Sequence, residues 1–379
     1  MKSYQMELKT IGPLFIGSGI SIGKKEYIYN PDKGLVLVPD VTAMYIGLQK
    51  LRLERKYQEY LLAGNTGMDL GKWLFENKVK PVTYNPWIRY TLLGGDHLRS
   101  GKRPVAIDCF TKDSYGLPYV PGSSIKGTLR TILLAYELIQ NPQKYQDIGR
   151  DIPGNAERAK PGKKVLHPDV QKLEESVFHT LNRKTPWGKP VPTKDAVNDC
   201  LSGLIISDSE PLPLKSLTLC QKLDRSVDGN YNNSINTLRE SIKPGTPIHF
   251  QLTIDETLCR YTIEDIRQAV QKFGEAYYSL FLSSFKGTDR PGEDTVWLGG
   301  GAGFFTKTVL YPLLGKEKGL TTAVTIFDKT LSPKAKREHK HDLDIKKGVS
   351  PHMIKFTEYE GKTYQIGMCK LSVLKENVL

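Results

Sequence analysis

Residues 119 to 131 read YVPGSSIKGTLRT, and their types and spacing raise a question of phosphate chemistry. Gly122 and Gly127 are separated by four residues, with Lys126 and Thr128 beside them. A Walker A loop places its lysine directly after the second glycine. Here Lys126 precedes Gly127 and Thr128 stands in the lysine's place, so the ammonium starts from a different point on the turn. The preceding DSYGLPYV is turn-rich and supplies no apolar strand. An ATPase reading is set aside.

A helix N-terminus is the alternative. Ile125, Leu129, Ile132, Tyr136 and Ile139 recur at helical spacing, and Asn141-Pro142 ends the run. Gly122, Ser123 and Ser124 then fall where unpaired backbone N–H groups attract anions, and Lys126 and Arg130 project from one side of the first turns. The competing reading is an ordinary capped helix with two solvated cations. His339, His341, Asp342 and Asp344 are the other cluster with ligand chemistry, but HKHDLD lies in a lysine-rich run read as a solvated loop, and no metal or cofactor is expected.

Lysine and arginine number 54 against 41 acidic residues, a net +13 that favours a polyanionic partner. No signal-peptide pattern or membrane-length apolar run is present, so a soluble cytoplasmic chain without a membrane role is expected. Cys109, Cys200, Cys220, Cys259 and Cys369 are scattered, which argues for buried thiols over disulfides or zinc.

Elements must position these residues. Strands are expected at YQMELKTI, EYIY, LVLV, WIRYTLL, PVAIDCF, GLIIS, SLTLCQK, the alternating IHFQLTI, TVWL and YQIGMCKLSVL. Helices are expected from Asp40 to about Ala63, near 71–77, after Gly122, after Thr262 with Asp265 as a capping partner, and from Phe304. Residues 150 to 195 are proline-punctuated and basic, and read as a mobile loop insertion with one short helix. The pattern predicts an α+β chain on antiparallel sheets, with a β-α-β-β-α-β ferredoxin-like unit in each half.

Four blocks together resemble one family: GPLFIGSG, PYVPGSSIKGTLR, SDSEPL leading to LRESIKPGT, and WLGGGAG. They are similar to the RAMP superfamily of CRISPR systems. With GKKEYIYNPDKG they are most similar to the subunit family conventionally numbered five in type III-A (Csm) effector complexes. The resemblance implies two tandem ferredoxin-like (RRM-like) RAMP domains. These are residues 1–210, with a helical insertion at about 40–80 and the basic loop at about 150–195, and residues 211–379, with a glycine-rich loop at 299–303. It further implies a non-catalytic subunit that caps the guide RNA 3′ end beside neighbouring RAMP subunits, meets target RNA, and assists 3′-end maturation through recruited cellular nucleases.

A guide holder should grip phosphate and ribose and leave base edges unread. Three patches are then expected to contact RNA. One is Gly17, Ser18 and Gly19 with Lys24 and Lys25. The second is Gly122, Ser123, Ser124, Lys126, Gly127 and Arg130. The third is Gly299, Gly300, Gly301 and Gly303 with Lys307. A tight turn packed on a neighbouring strand is the less favoured reading of GGGAG. Related processing endoribonucleases often carry histidine where this chain has Phe15, and a phenyl ring transfers no proton. His97 and His249 remain, and Asp113, Asp208 and Asp224 are read as turn or cap residues, so no catalytic residue is assigned. A metal-independent processing endoribonuclease is the runner-up, and a basic enzyme unrelated to RNA the third.

Overall fold

A computed structural model describes residues 1–30, 32–64, 67–94, 106–162, 164–232 and 237–378. Strand β1 (Lys2–Thr10) buries Tyr4, Met6 and Leu8 on one face while Gln5 and Lys9 face solvent, the alternation of a sheet covered on one side. Next come β2 (Gly17–Gly23), β3 (Ile28–Asn30) and β4 (Leu35–Pro39). Asp40 caps α1 (Val41–Lys50) by accepting from the Ala43 amide at 2.8 Å.

The single helix expected to Ala63 is two, because α1 stops before α2 (Glu54–Leu62). Arg52 adopts φ +58° between them, and the Leu53 amide donates back to the Leu48 carbonyl at 2.9 Å. Glycine normally holds that helix-ending position, so an arginine there leaves no signal in the sequence. Helices α3 (Leu70–Glu76) and α4 (Pro81–Tyr84) follow, and the insertion has its own small core around Leu48, Tyr57, Tyr60, Trp73 and Trp87.

Strands β5 (Ile88–Leu93) and β6 (Ala106–Phe110) lead to α5 (Gly122–Gln140), whose Ile125, Leu129 and Ile132 are buried as the periodicity requires. The expected basic loop carries α6, which begins just before it (Gln146–Glu157), and α7 (His167–Phe178), with Ile152, Ala156, Leu173 and Phe178 buried. Its prolines punctuate the helices more than they prevent them. Pro168, for one, sits in the first turn of α7, where a missing N–H costs nothing.

Short strands β7 (Leu204–Ile206), β8 (Leu217–Gln221), β9 (Leu223–Ser226) and β10 (Tyr231–Asn232) precede β11 (Thr237–Ile242) and β12 (Pro247–Ile254). The capping box of Thr262 and Asp265 opens α8 (Ile263–Leu280). After β13 (Thr295–Trp297), α9 spans Leu310–Thr330 with a break at Gly315. The charged run is helical. Ser332 accepts from the Ala335 amide to cap α10 (Pro333–His339), and α11 (Asp344–Lys347) follows. The last expected strand is split by a turn, after β14 (Met353–Tyr359), into β15 (Lys362–Gln365) and β16 (Met368–Val378).

A five-stranded antiparallel sheet has the order β13-β16-β1-β12-β7. Met6 on β1 lies opposite Phe250 on β12 and Val373 on β16. Strand β1 thus sits between two strands of the second half, and the expected division at 210/211 does not separate two sheets. The succession β1-α5-β7-β12-α8-β16 is one β-α-β-β-α-β unit, closed by the two ends of the chain, where two in tandem were expected. Periodicity identifies strands but says nothing of their partners. The remaining sheets are β2-β6-β11-β8, with β6 and β11 parallel, β10-β9-β14-β15, and β3-β4-β5.

Candidate nucleic-acid interface

The start of α5 does not present an open anion site. The Gly122 amide donates to Asp208 Oδ1 at 2.8 Å, so the anion at this helix end is the protein's own. A Cβ on Gly122 would lie 2.3 Å from the Ile206 carbonyl oxygen, which makes this glycine a packing requirement. Lys126 Nζ donates to the Leu201 carbonyl at 2.7 Å, and burial lowers its pKa. Arg130 donates to Asp199 at 2.6 Å and Glu174 at 3.1 Å, with its guanidinium over the Phe178 ring. Ser124 bonds back to Pro121, Ser123 is exposed, and nothing lies within 4 Å of a Cβ on Gly127. Lys126 and Arg130 therefore brace α5, and both expected phosphate contacts are already engaged within the protein.

The other two glycine patches converge. The Gly300 amide donates to the Phe15 carbonyl at 2.7 Å, and a Cβ on Gly299 (φ +81°) would stand 2.2 Å from that same oxygen. A Cβ on Gly17 would lie 3.0 Å from the Phe15 ring edge. Gly299 and Gly300 thus form the packed turn that the sequence reading disfavoured. Ser18 donates to the Cys109 carbonyl, and Gly19 is open to solvent. Lys25 is spent as a cation on the carbonyls of Tyr60, Leu61 and Ala63 at the end of α2, and Lys24 is also engaged within the protein.

Arg239 joins the two turns. It projects from β11, stacks its guanidinium 4.7 Å from the Phe15 ring centre, and approaches the Gly300 carbonyl at 3.5 Å. Beyond it opens a cleft of about 420 Å³ lined by Lys222, Lys307, Lys355, Gly301, Gly303 and His341, among others. Lys355 is neutralised by Asp224. The Lys307 amide donates to the Phe304 carbonyl, but the ammonium groups of Lys222 and Lys307 enter no hydrogen bond or salt bridge among the described residues. Removal from water lowers the pKa of Lys222, and repulsion from Lys355 and Arg239 adds to it. Desolvation and Arg239 lower Lys307, and desolvation lowers Arg239 itself. Arg239 is 3.8 Å from Asp108 and Asp224 acts on Lys222 as well as on Lys355, so four cations share two carboxylates, and a further anion would relieve the excess.

Sequence reasoning did not single out Arg239 or Lys222, which line this cleft. Arg239 lies in the LRESIKPGT block, yet only the pairing of β11 with β6 and β8 carries it to Phe15.

A second basic surface lies at 179–199. Thr185 accepts from the Gly188 amide at 2.9 Å to form a hairpin turn, and buried Asn198 holds its base through the Arg183 amide and the Pro192 carbonyl. Trp187 at the tip is 85% exposed, flanked by exposed Arg183, Lys184, Lys189 and Lys194.

His249 accompanies carboxylates. Its Nε2 is 3.2 Å from Glu7, and Asp208 and Glu210 share the same depression, which suits phosphate poorly. His97 lies outside the described residues. Asp113 accepts from the Tyr115 and Leu117 amides, a turn role as expected. His341 and Asp344 do meet, joined by His352, whereas His339 and Asp342 stay outside the group.

The RAMP superfamily model matches residues 7–306. CRISPR system Cms protein Csm5 of Mycobacterium tuberculosis (strain CDC 1551 / Oshkosh) is 27% identical over 399 residues, covering 98% of each chain. The Streptococcus thermophilus protein of the same name is 28% identical over 317 residues, covering 81% of this chain and 80% of that one. The fold is similar to a chain in the cryo-EM structure of a type III-A Csm-crRNA-target RNA ternary complex (TM-score 0.62, 20% identity, 98% of this chain and 100% of that one). It is also similar to the crystal structure of T. onnurineus Csm5 (TM-score 0.55, 18% identity, 96% and 99% covered).

Proposed function

This chain belongs to the RAMP superfamily, and we propose that within it the protein is a guide-RNA-binding subunit at the 3′ end of a type III-A CRISPR effector complex. In this reading it is non-catalytic, acts in the cytoplasm, stacks on neighbouring RAMP subunits, meets target RNA, and assists 3′-end maturation through recruited nucleases. The similarity to Csm5 proteins over nearly the whole chain supports the assignment.

One observation carries the chemistry: Arg239, Lys222 and Lys307 surround one cleft with too little counter-charge, beside two backbone turns that meet at Phe15. Cations and backbone amides read phosphate and not base edges, as a holder of variable guides requires. The exposed Trp187 offers a sequence-tolerant stacking face on the second basic surface.

The test is binding of two unrelated end-labelled RNAs by wild type and by Arg239→Ala/Lys307→Ala. Equal affinity for both RNAs, lost in the variant with folding intact, supports the reading. Binding that the variant retains would sink the site, and specific cutting by wild type would favour the endoribonuclease reading.

A further inference from the structure

The charged stretch between α10 and β14 folds three potential ligands onto one point. His341 Nδ1 lies 2.9 Å from Asp344 Oδ2, and His352 Nδ1 contacts the other carboxylate oxygen, Oδ1. One donor atom from each of the three residues lies within 4.8 Å of those from the other two. Asp344 is fully buried and His352 nearly so, at 0% and 5% exposure. Phe327 stacks on the His341 ring at 4.2 Å, limiting its rotation.

Two observations call for a cation here. First, a buried carboxylate needs compensation. Among the described residues its only ion-pair partners are the two imidazoles, which are charged only when protonated. Second, the fully buried Ser350 hydroxyl faces the same carboxylate yet makes no hydrogen bond of ordinary geometry. The Ser350 backbone is fixed by the Tyr311 hydroxyl, which donates to its carbonyl at 2.7 Å and accepts from its amide at 3.0 Å, so the serine is held in place.

We propose that His341, Asp344 and His352 bind a single divalent transition-metal ion, zinc by ligand chemistry, with Ser350 Oγ or a water as fourth donor. Two imidazole nitrogens and a carboxylate suit zinc, whereas magnesium and calcium prefer all-oxygen shells. Tetrahedral zinc with bonds near 2.0–2.1 Å spaces its donors by about 3.3 Å; His341 and Asp344 stand at hydrogen-bond distance, 2.9 Å, and part by a few tenths of an ångström to admit the ion. The ion replaces the protons now shared with the carboxylate and staples the segment after α10 to the start of β14. Met353, Ile354 and Lys355 on that strand line the basic cleft, so the metal has a structural role there and its existence does not depend on RNA binding.

The experiment uses the full chain, stripped with EDTA, reloaded with zinc chloride and passed through gel filtration. Elemental analysis should find about one zinc per chain, with a higher melting temperature than the stripped protein. His341→Ala and His352→Ala should lose the metal, while His167→Ala, at an exposed histidine, keeps it. Wild type emerging without zinc, or both ligand variants retaining it, overturns the proposal. Should those variants fail to fold, cobalt-loaded wild type decides. Intense visible bands of tetrahedral cobalt support the site, and only the weak spectrum of the hydrated ion overturns it.

Discussion

The guanidinium of Arg239 lies 4.7 Å from the centre of the Phe15 ring, and the Phe15 carbonyl is held by the Gly300 amide. One arginine on β11 thereby ties the first glycine turn to the glycine-rich loop and closes one side of the basic cleft. Phe15, at the position where histidine is expected in related processing endoribonucleases, serves as a platform for a cation.

Removing that cation should weaken RNA binding without selecting among sequences. Each single-stranded phosphate neutralised contributes about 0.7 to the slope of log affinity against log salt. Arg239→Ala should flatten the slope by about that amount. Three such contacts make wild-type affinity fall roughly 20-fold between 50 and 200 mM salt. Titrations over that range check both figures, and an unchanged slope would place the phosphate elsewhere.

Lys222→Met should bind RNA more weakly and yet be more stable. The Lys222 folded pKa lies below its ordinary 10.5 through desolvation and repulsion from Lys355. Between the folded and unfolded values the unfolded chain holds more protons, so this group's contribution to stability rises with pH through that window, which lies under 10.5. Methionine keeps the packing stem and removes the charge. A gain of about 0.5–1 kcal/mol in denaturant unfolding at pH 7, shrinking as pH approaches 10.5, is expected, and a loss would contradict the crowded-cation account.

Arg130→Ala should cost stability and spare RNA binding. Its guanidinium is shared between Asp199 and Glu174 and covers Phe178, so truncation leaves two carboxylates unpaired and opens packing. A loss of about 1–3 kcal/mol is expected. Affinity measured well below the melting transition should match wild type. A selective loss of binding would restore the anion-site reading of the GSSIKGTLR helix.

Much of the fold was legible because its signals are local. The alternation of Ile248, Phe250, Leu252 and Ile254, the capping box at Thr262, and the apolar stripe of α5 are properties of adjacent residues, and the structure realises each. What stayed hidden depends on partners far away in sequence. Nothing near Tyr4 announces that β1 will lie between β12 and β16. Lys126 and Arg130 look free until Leu201 and Asp199 arrive. His341 and Asp344 were visible as a pair, but His352 completes the group only because β14 begins beside them. The glycine-rich patches stand out in the sequence, yet it does not show that Gly299 makes room for Phe15.

Gly299→Ala follows from that last point. The residue has φ +81°, and an added Cβ would stand 2.2 Å from a backbone oxygen that cannot rotate away. Left-handed strain costs about 1–3 kcal/mol alone, and the clash forces the loop off Phe15. Destabilisation of about 2 kcal/mol or more should appear in thermal unfolding, with RNA affinity falling alongside. Gly127→Ala, with open space around it and an ordinary helical backbone, should be neutral or slightly stabilising.

Glu240, next to Arg239 on β11, separates structural support from ligand contact. It is fully buried, accepts from the Phe110 amide at 2.9 Å and the Tyr90 hydroxyl at 2.5 Å, and pairs with Lys112. Glu240→Ala would strand a partly buried ammonium and a buried amide, at a cost of about 3–5 kcal/mol. Glu240→Gln keeps an acceptor for the amide and should cost less, though it still leaves Lys112 without a counter-charge. Arg239 points to the other face of the strand, so a folded Glu240→Gln protein should keep the wild-type salt slope for RNA. If the slope changes while Arg239→Ala leaves it intact, the contact lies on the Tyr90 side of the sheet, and the cleft beside Phe15 is not where RNA is held.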